Sequence, residues 1–286
     1  LKKLYIAIGI DCDPDRDAYP RRLAWRGIEA IPRLFDIPDL KWTFNIRADS
    51  QVQAYCGAAD YCVTEYRELW SEAEHRGDAL ALHLHYFGDD GRQDITEANI
   101  RRNVELGVRA LHGPDLVHMG WTFQNDFSIR QLAAAGIKVD YSPLPRMTYG
   151  GRNGTDQYDW SSFCYRPTFW HGVKMVPAYT YMDSLLSRRF GTERVMLTTA
   201  TSPLLYRLLL KSFFGTGSDF FVSYFHIDEI ISALSGWRSR LYSFDNLRRN
   251  IDALRERAND AGYDVHFLNI RELAGILFDD HHAGDA

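Results

Sequence analysis

Three short runs early in the chain, Leu4–Asp11, Lys41–Ile46 and Ala79–His85, are apolar on both faces, and a longer stretch of helical spacing follows each of them. A strand with no polar face must be buried on both sides, which is how parallel strands covered by helices read. Further strands are predicted at Leu116–Met119, Ile137–Asp140, Val173–Pro177, Phe220–Phe225 and Val265–Asn269. The intervening helices are predicted at Arg21–Phe35, Val63–Arg76, Ile95–Leu111 with Thr96 as cap, Phe127–Ala135 and Phe244–Ala261. Gly136 and Gly262 supply stop signals after the last two, and Leu247, Ile251 and Leu254 recur at helical spacing. Strand–helix alternation of this kind argues for an α/β fold with a parallel sheet, open or closed into a barrel. No repeat, low-complexity tract or linker interrupts the 286 residues. One domain over 1–278 is therefore expected, with a polar tail over 279–286, since α/β barrels run to about 200–250 residues as one domain.

In such folds the chemistry sits at the carboxyl ends of the strands. Four predicted strand ends carry Asp or His: Asp11-Cys12-Asp13, His83-Leu84-His85, Asp140-Tyr141-Ser142 and His226-Ile227-Asp228. Asp13, His83 and His85 offer two imidazoles and a carboxylate, a set suited to one divalent transition metal. Zinc fits best, with cobalt, nickel or manganese open. Such an ion lowers the pKa of bound water and polarises a carbonyl. Asp11 could take a proton and His226 could give one, so that metal, base and acid together describe amide or ester hydrolysis.

Each element by itself is a weak signal. Asp-x-Asp recurs in many metal sites. His83 and His85 are expected to share an ion only if the strand ends or bends there, which makes His83 the firmer ligand, and His226 alone reads as structural. The run Asp11, Asp13, Asp15, Asp17 is similar to a calcium loop, but Arg16 and Arg22 stand where that loop needs Gly and Glu. His281 and His282 fall in the polar tail.

The motifs in order resemble the polysaccharide deacetylases, the NodB-homology or carbohydrate esterase family 4 proteins, over most of the chain. "IAIGIDCDPD" is similar to the family's first motif, which implies Asp11 as base and Asp13 as metal ligand. "GDALALHLHYF" resembles the second motif in its His-x-His form, implying His83 and His85 as ligands. "MGWTFQNDFSIRQLAAAGIKVDYSPLP" resembles the stretch that ends in a supporting Asp-x-Ser, implying Asp140 in that role. "YRPTFWHGVKMVPAYT" resembles a later segment, and "YFHIDEI" is similar to the last motif, implying His226 as general acid. The resemblance implies a distorted (β/α) barrel of about seven strands and removal of an N-acyl group, acetyl foremost, from an amino sugar of a surface glycan or its precursor. Two departures stand out. The family's third-motif Arg is replaced by Val117-His118-Met119, with His118 and Arg166 as candidate substitutes, and Phe87 stands where many members place the second histidine.

Composition narrows the partners. A net charge of −5 and a pI near 6.1 give no pull toward nucleic acid or anionic lipid. The stretch Leu204–Phe214 is too short and too charged to span a bilayer. Leu1–Ile10 is too short for a secretory signal, so a soluble, cytoplasmic protein is expected, with room for a truncated N-terminus because Leu1 opens the chain. Four cysteines without a C-x-x-C pair read as buried free thiols. The aromatic content of 14% mostly fills a core, and Trp121, Tyr141 and Trp170 are candidates to line a sugar groove. Two alternatives stay open: a sugar- or metal-binding barrel without turnover, and a haloacid-dehalogenase-like magnesium phosphatase with Asp11 as nucleophile. Oligomeric state is open.

Overall fold

The computed structural model describes residues 1–15, 24–88, 92–150, 157–181, 194–231 and 241–279. Arg16, Asp17, Arg22, His281 and His282 lie outside the described residues, as does all of the expected tail beyond Asp279. The described strands are β1 (Lys2–Cys12), β2 (Trp42–Arg47), β3 (Ala79–Leu84), β4 (Leu116–Met119), β5 (Val139–Asp140), β6 (Thr148–Gly150), β7 (Gln157–Asp159), β8 (Thr168–Trp170), β9 (Val173–Met175), β10 (Phe220–His226) and β11 (Tyr263–Leu268). The class is α/β, as the alternation predicts. The chain forms two compact units: Leu1–Thr43 with Tyr179–Leu273, and Phe44–Ala178 with the C-terminal segment from Ala274.

In the first unit, β1 lies between β10 and β11 and pairs with both in parallel. Leu4, Ile6, Ala7, Ile8 and Ile10 are all buried, on both faces of β1, as its unbroken apolar run requires. The connection from β10 to β11 runs through the helix Phe244–Asp260. Ser243 caps that helix by accepting from the N–H of Asn246 at 3.0 Å, and Gly262, at φ +79°, lies just beyond its end. Leu247, Ile251 and Leu254 are buried along one stripe. Each such side chain contributes about 1.5–3 kcal/mol of burial.

In the second unit the order is β3–β4–β5–β9–β8, parallel from β3 to β9 and antiparallel at the β8 edge. The helix Glu97–Ala110 connects β3 to β4, and Asp126–Ala134 connects β4 to β5. Gly107 lets the first of these approach closely: a Cβ there would meet Leu84 and Leu82 side-chain carbons at 2.6 and 2.8 Å. Asn125 and Ser128 form a reciprocal capping box at the start of the second.

Several expectations need correction. Arg21–Phe35 is not one helix in its described part: Arg26–Glu29 and Pro32–Phe35 are separate turns, since Pro32 cannot donate within a helix and starts the second one instead. Val63–Arg76 divides into Tyr61–Glu65 and Arg67–His75 at Tyr66, whose ψ of 25° leaves the helical region. Thr96 sits at the cap position but makes no side-chain cap bond. The helices Ser50–Cys56, Pro203–Phe214 and Ile270–Asp279 and the β8–β9 hairpin lay outside the sequence reading. Among the described residues, no helix is long and apolar enough to cross a membrane.

Candidate functional site

The first unit gathers three of the expected residues. Parallel pairing sets Asp11 of β1 opposite His226 of β10. Alternation turns Cys12 away from the aspartates that flank it, and its thiol donates to the carbonyl of Ile10 at 3.6 Å. Nδ1 of His226 lies 3.5 Å from Oδ2 of Asp13 and 3.9 Å from Oδ2 of Asp11. Both carboxylates are buried, whereas the imidazole is about one-third exposed (29%). Such a group can move a proton between solvent and a protected carboxylate pair. Asp15, next in the run, is occupied structurally: it accepts from Arg26 Nε at 2.7 Å and from the Gly27 N–H at 3.1 Å. Burial raises its carboxyl above the usual range, against the pull of those bonds.

The second unit assembles the histidines. His83 donates from Nδ1 to the carbonyl oxygen of His118 at 2.6 Å. A carbonyl can only accept, so Nδ1 carries the proton and Nε2 of a neutral His83 bears a lone pair. That Nε2 faces Nε2 of His85 at 3.2 Å. Two nitrogens bound to one tetrahedral zinc ion, each about 2.0–2.1 Å from it, lie about 3.3 Å apart. The strand ends between the two histidines, one of the two conditions under which they are expected to share an ion. Residues two apart on a strand share a face, and β3 ends at Leu84 with both rings already on one side.

The His85 ring is held from several directions. It stacks on Phe87 with centroids 5.5 Å apart at 12°, and the edge of Trp121 meets it at 4.6 Å. Gly120 makes room for it, because a Cβ there would lie 2.1 Å from His85 Cδ2. Trp121 and Thr122 follow with φ of +50° and +53°, a left-handed turn rare for such side chains. Phe87, at the position where the resemblance leads one to expect a histidine, thus packs on the ring of His85. The sequence reading missed Arg47 and Asp49. Arg47 Nε donates to Asp49 Oδ2 at 2.8 Å, and the same oxygen accepts the His85 N–H at 3.2 Å.

Asp140 is fully buried and accepts from the Ser142 N–H at 2.8 Å, the Ser142 hydroxyl, and Gln124 Nε2 at 2.7 Å. Ser142 Oγ in turn accepts from the Met119 N–H at 2.8 Å. Asp140 therefore tethers the end of β4 through Ser142, and desolvation raises its carboxyl. The other expected residues sit less well. Tyr141 is wholly buried, its hydroxyl donating to Asn45 Oδ1 and its ring 4.5 Å from His118, which leaves no face for a sugar. Trp170 packs on Phe163 and Trp160 and donates its indole N–H to Asp126 at 3.1 Å. Arg166 is exposed, with its backbone N–H on the carbonyl of Cys164.

No family model matches the chain, and no curated protein matches it. Solved structures do. A protein assigned as a polysaccharide deacetylase from Mycobacterium smegmatis superposes with a TM-score of 0.59 over 98% of this chain and 92% of its own, at 17% identity. The fold is that of the polysaccharide deacetylases. A family 4 carbohydrate esterase from Streptomyces lividans matches at a TM-score of 0.42 and 9% identity, covering 93% of both chains. The 4-alpha-glucanotransferase of Thermococcus litoralis matches at 0.48 and 11%, over 95% of this chain and 40% of its own. The polysaccharide-deacetylase fold is the NodB-homology type that the ordered motifs imply, a distorted (β/α) barrel in that family.

Proposed function

We propose that this chain is a metal-dependent carbohydrate deacetylase that removes an N-acyl group, acetyl foremost, from an amino sugar of a surface glycan or its precursor. The observation that carries the reading is the His83–His85 pair: a tautomer set by the His118 carbonyl and two Nε2 atoms 3.2 Å apart. Imidazole nitrogens in that relation suit a zinc-type ion, and cobalt, nickel or manganese would fit the same donors. Asp13 is the proposed third ligand, from the end of β1. A bound ion would supply Lewis acidity, lowering the pKa of water and polarising the acyl carbonyl. Asp11 accepts the proton of the attacking water. His226, whose Nδ1 lies beside the carboxylates of Asp11 and Asp13, is the proposed proton donor to the leaving nitrogen. Trp121, half-buried against His85, is the aromatic group best placed to meet a sugar ring.

One specific observation favours a second reading, a metal-binding member without turnover. The third-motif Arg of the resembled family is replaced here by His118, which stacks on His83, 5.7 Å away at 11°. The magnesium phosphatase reading gains nothing, since it leaves the histidine pair without a role.

The test is elemental analysis of purified protein followed by a screen for amine release from N-acetylated amino sugars. About one equivalent of transition metal, with amine release, supports the deacetylase. Metal without release on a broad panel favours the second reading, and magnesium alone would return the phosphatase.

A further inference from the structure

Asp49 uses its two carboxylate oxygens for different tasks. Oδ1 caps the helix Ser50–Cys56, accepting the N–H groups of Gln51 and Val52, each at 3.0 Å. Oδ2 accepts Arg47 Nε at 2.8 Å and the His85 N–H at 3.2 Å. The pairing of this edge continues just past β2, where the Ala48 N–H meets the His83 carbonyl at 3.2 Å. At His85 a side chain takes the N–H instead, and β3 ends. The carboxylate is therefore fastened to the helix behind it and holds the backbone of His85 in front.

Arg47 completes the arrangement. Its guanidinium is buried (4% exposed), reaches Gln51 Oε1 at 2.6 Å, and lies 5.2 Å from the centre of the Phe87 ring. Phe87 stacks in turn on His85. One ion pair thus grips His85 twice, at its N–H through Asp49 and at its ring through Phe87. Burying an ion pair is costly, and a pair kept for folding alone could be replaced by apolar groups at little loss. The pair is explained if what it fixes is the place of the His85 nitrogen, where a shift of a few tenths of an ångström decides whether two imidazoles meet one ion.

We propose that Asp49, with Arg47, is the positioning residue for His85, setting its Nε2 against that of His83. The inference rests on the metal-site reading above and deepens it. Asp49→Ser separates the two tasks, because Ser still caps a helix but has one oxygen and no reach to His85. Zinc and cobalt affinities of the purified chain, measured by calorimetry and by the visible spectrum of the cobalt form, should fall about 10–100-fold. In a His85→Ala background the same change should alter metal affinity less than about twofold, since the residue it acts through is gone. A general loss of structure would weaken both backgrounds alike. If Asp49→Ser alone fails to fold, Arg47→Met with Asp49→Ser removes the stranded guanidinium and is measured in its place.

Unchanged affinity in a folded Asp49 variant overturns the inference and leaves the metal site standing. Equal weakening in both backgrounds overturns it too. If the wild-type chain takes up neither metal, the site reading falls and the inference with it.

Discussion

His83 donates its Nδ1 proton to the backbone of His118, not to a side chain, at 2.6 Å. A ligand histidine normally owes its tautomer to such a partner, and here the partner survives any substitution at position 118. His118→Ala should therefore keep about one equivalent of metal, whereas His83→Ala and Asp13→Ala should lose it together with activity. His118 is buried between His83 and Tyr141, so its truncation should still cost about 2–4 kcal/mol of stability. Elemental analysis beside urea unfolding separates the two effects. Loss of metal from folded His118→Ala would give its imidazole a direct role.

Gly120 is where the smallest side chain would do most harm. A methyl group there would stand 2.1–2.3 Å from the His85 ring, so the ring must move. Gly120→Ala should lower zinc affinity about 10–100-fold and cost about 1–3 kcal/mol from overpacking. Gly113→Ala is the control: its φ of +83° makes alanine strained, yet nothing lies near its Cβ. It should lose about 1 kcal/mol and no metal. Equal metal affinity in wild type and Gly120→Ala would show that the His85 ring position does not matter.

The strand ends that hold Asp11, His83, Asp140 and His226 were legible because buried parallel strands write continuous apolar runs, and because position along a strand fixes which face a side chain takes. That same rule puts His85, two residues on, on the face of His83. Asp49 left only a faint trace, an Asp just ahead of Ser-Gln-Val, legible as a helix cap. Its second oxygen serves Arg47 and His85, one of them 36 residues away, and no local pattern reports a contact at that separation. Gly120 stands in the Met119-Gly120-Trp121 run, but its reason is the His85 ring it accommodates, again a long-range fact. Tyr141 and Trp170 read as sugar-facing in the sequence because aromatic residues suit both cores and grooves, and composition does not tell the two apart.

Asp140 links stability to pH with a definite sign. Its folded-state pKa is raised from 3.8 by burial, so the folded chain holds that proton more tightly than the unfolded one. The resulting stabilisation is fully present below the unfolded value and is lost as pH rises through the folded value. Asp140→Asn removes this titration. The stability of wild type relative to the variant should therefore decline as pH is raised from about 3.8 upward. Urea midpoints of both proteins across that range give the comparison, and a wild-type advantage that grows with pH would contradict it. The Asn also brings an amide N–H₂ toward Gln124 Nε2, which must turn to avoid two facing donors.

The proposed proton donor offers the sharpest separation of chemistry from metal binding. His226 lies 3.5 Å from Asp13 and 3.9 Å from Asp11, on a different strand from either. Its ring is partly open to solvent, so a change there leaves the buried core intact. His226→Gln keeps the size and a hydrogen-bonding end but gives up the transferable proton. Metal content should stay near the wild-type level, and amine release should fall about 10²–10⁴-fold, as for loss of a general acid. The loss should appear in kcat with little change in KM, because the proton is needed when the nitrogen leaves and not when the sugar binds. Metal content and initial rates measured on the same preparations decide the matter. A variant that keeps its metal and more than about a tenth of the rate cannot have lost its general acid, and the donor would then have to be sought elsewhere at the strand ends.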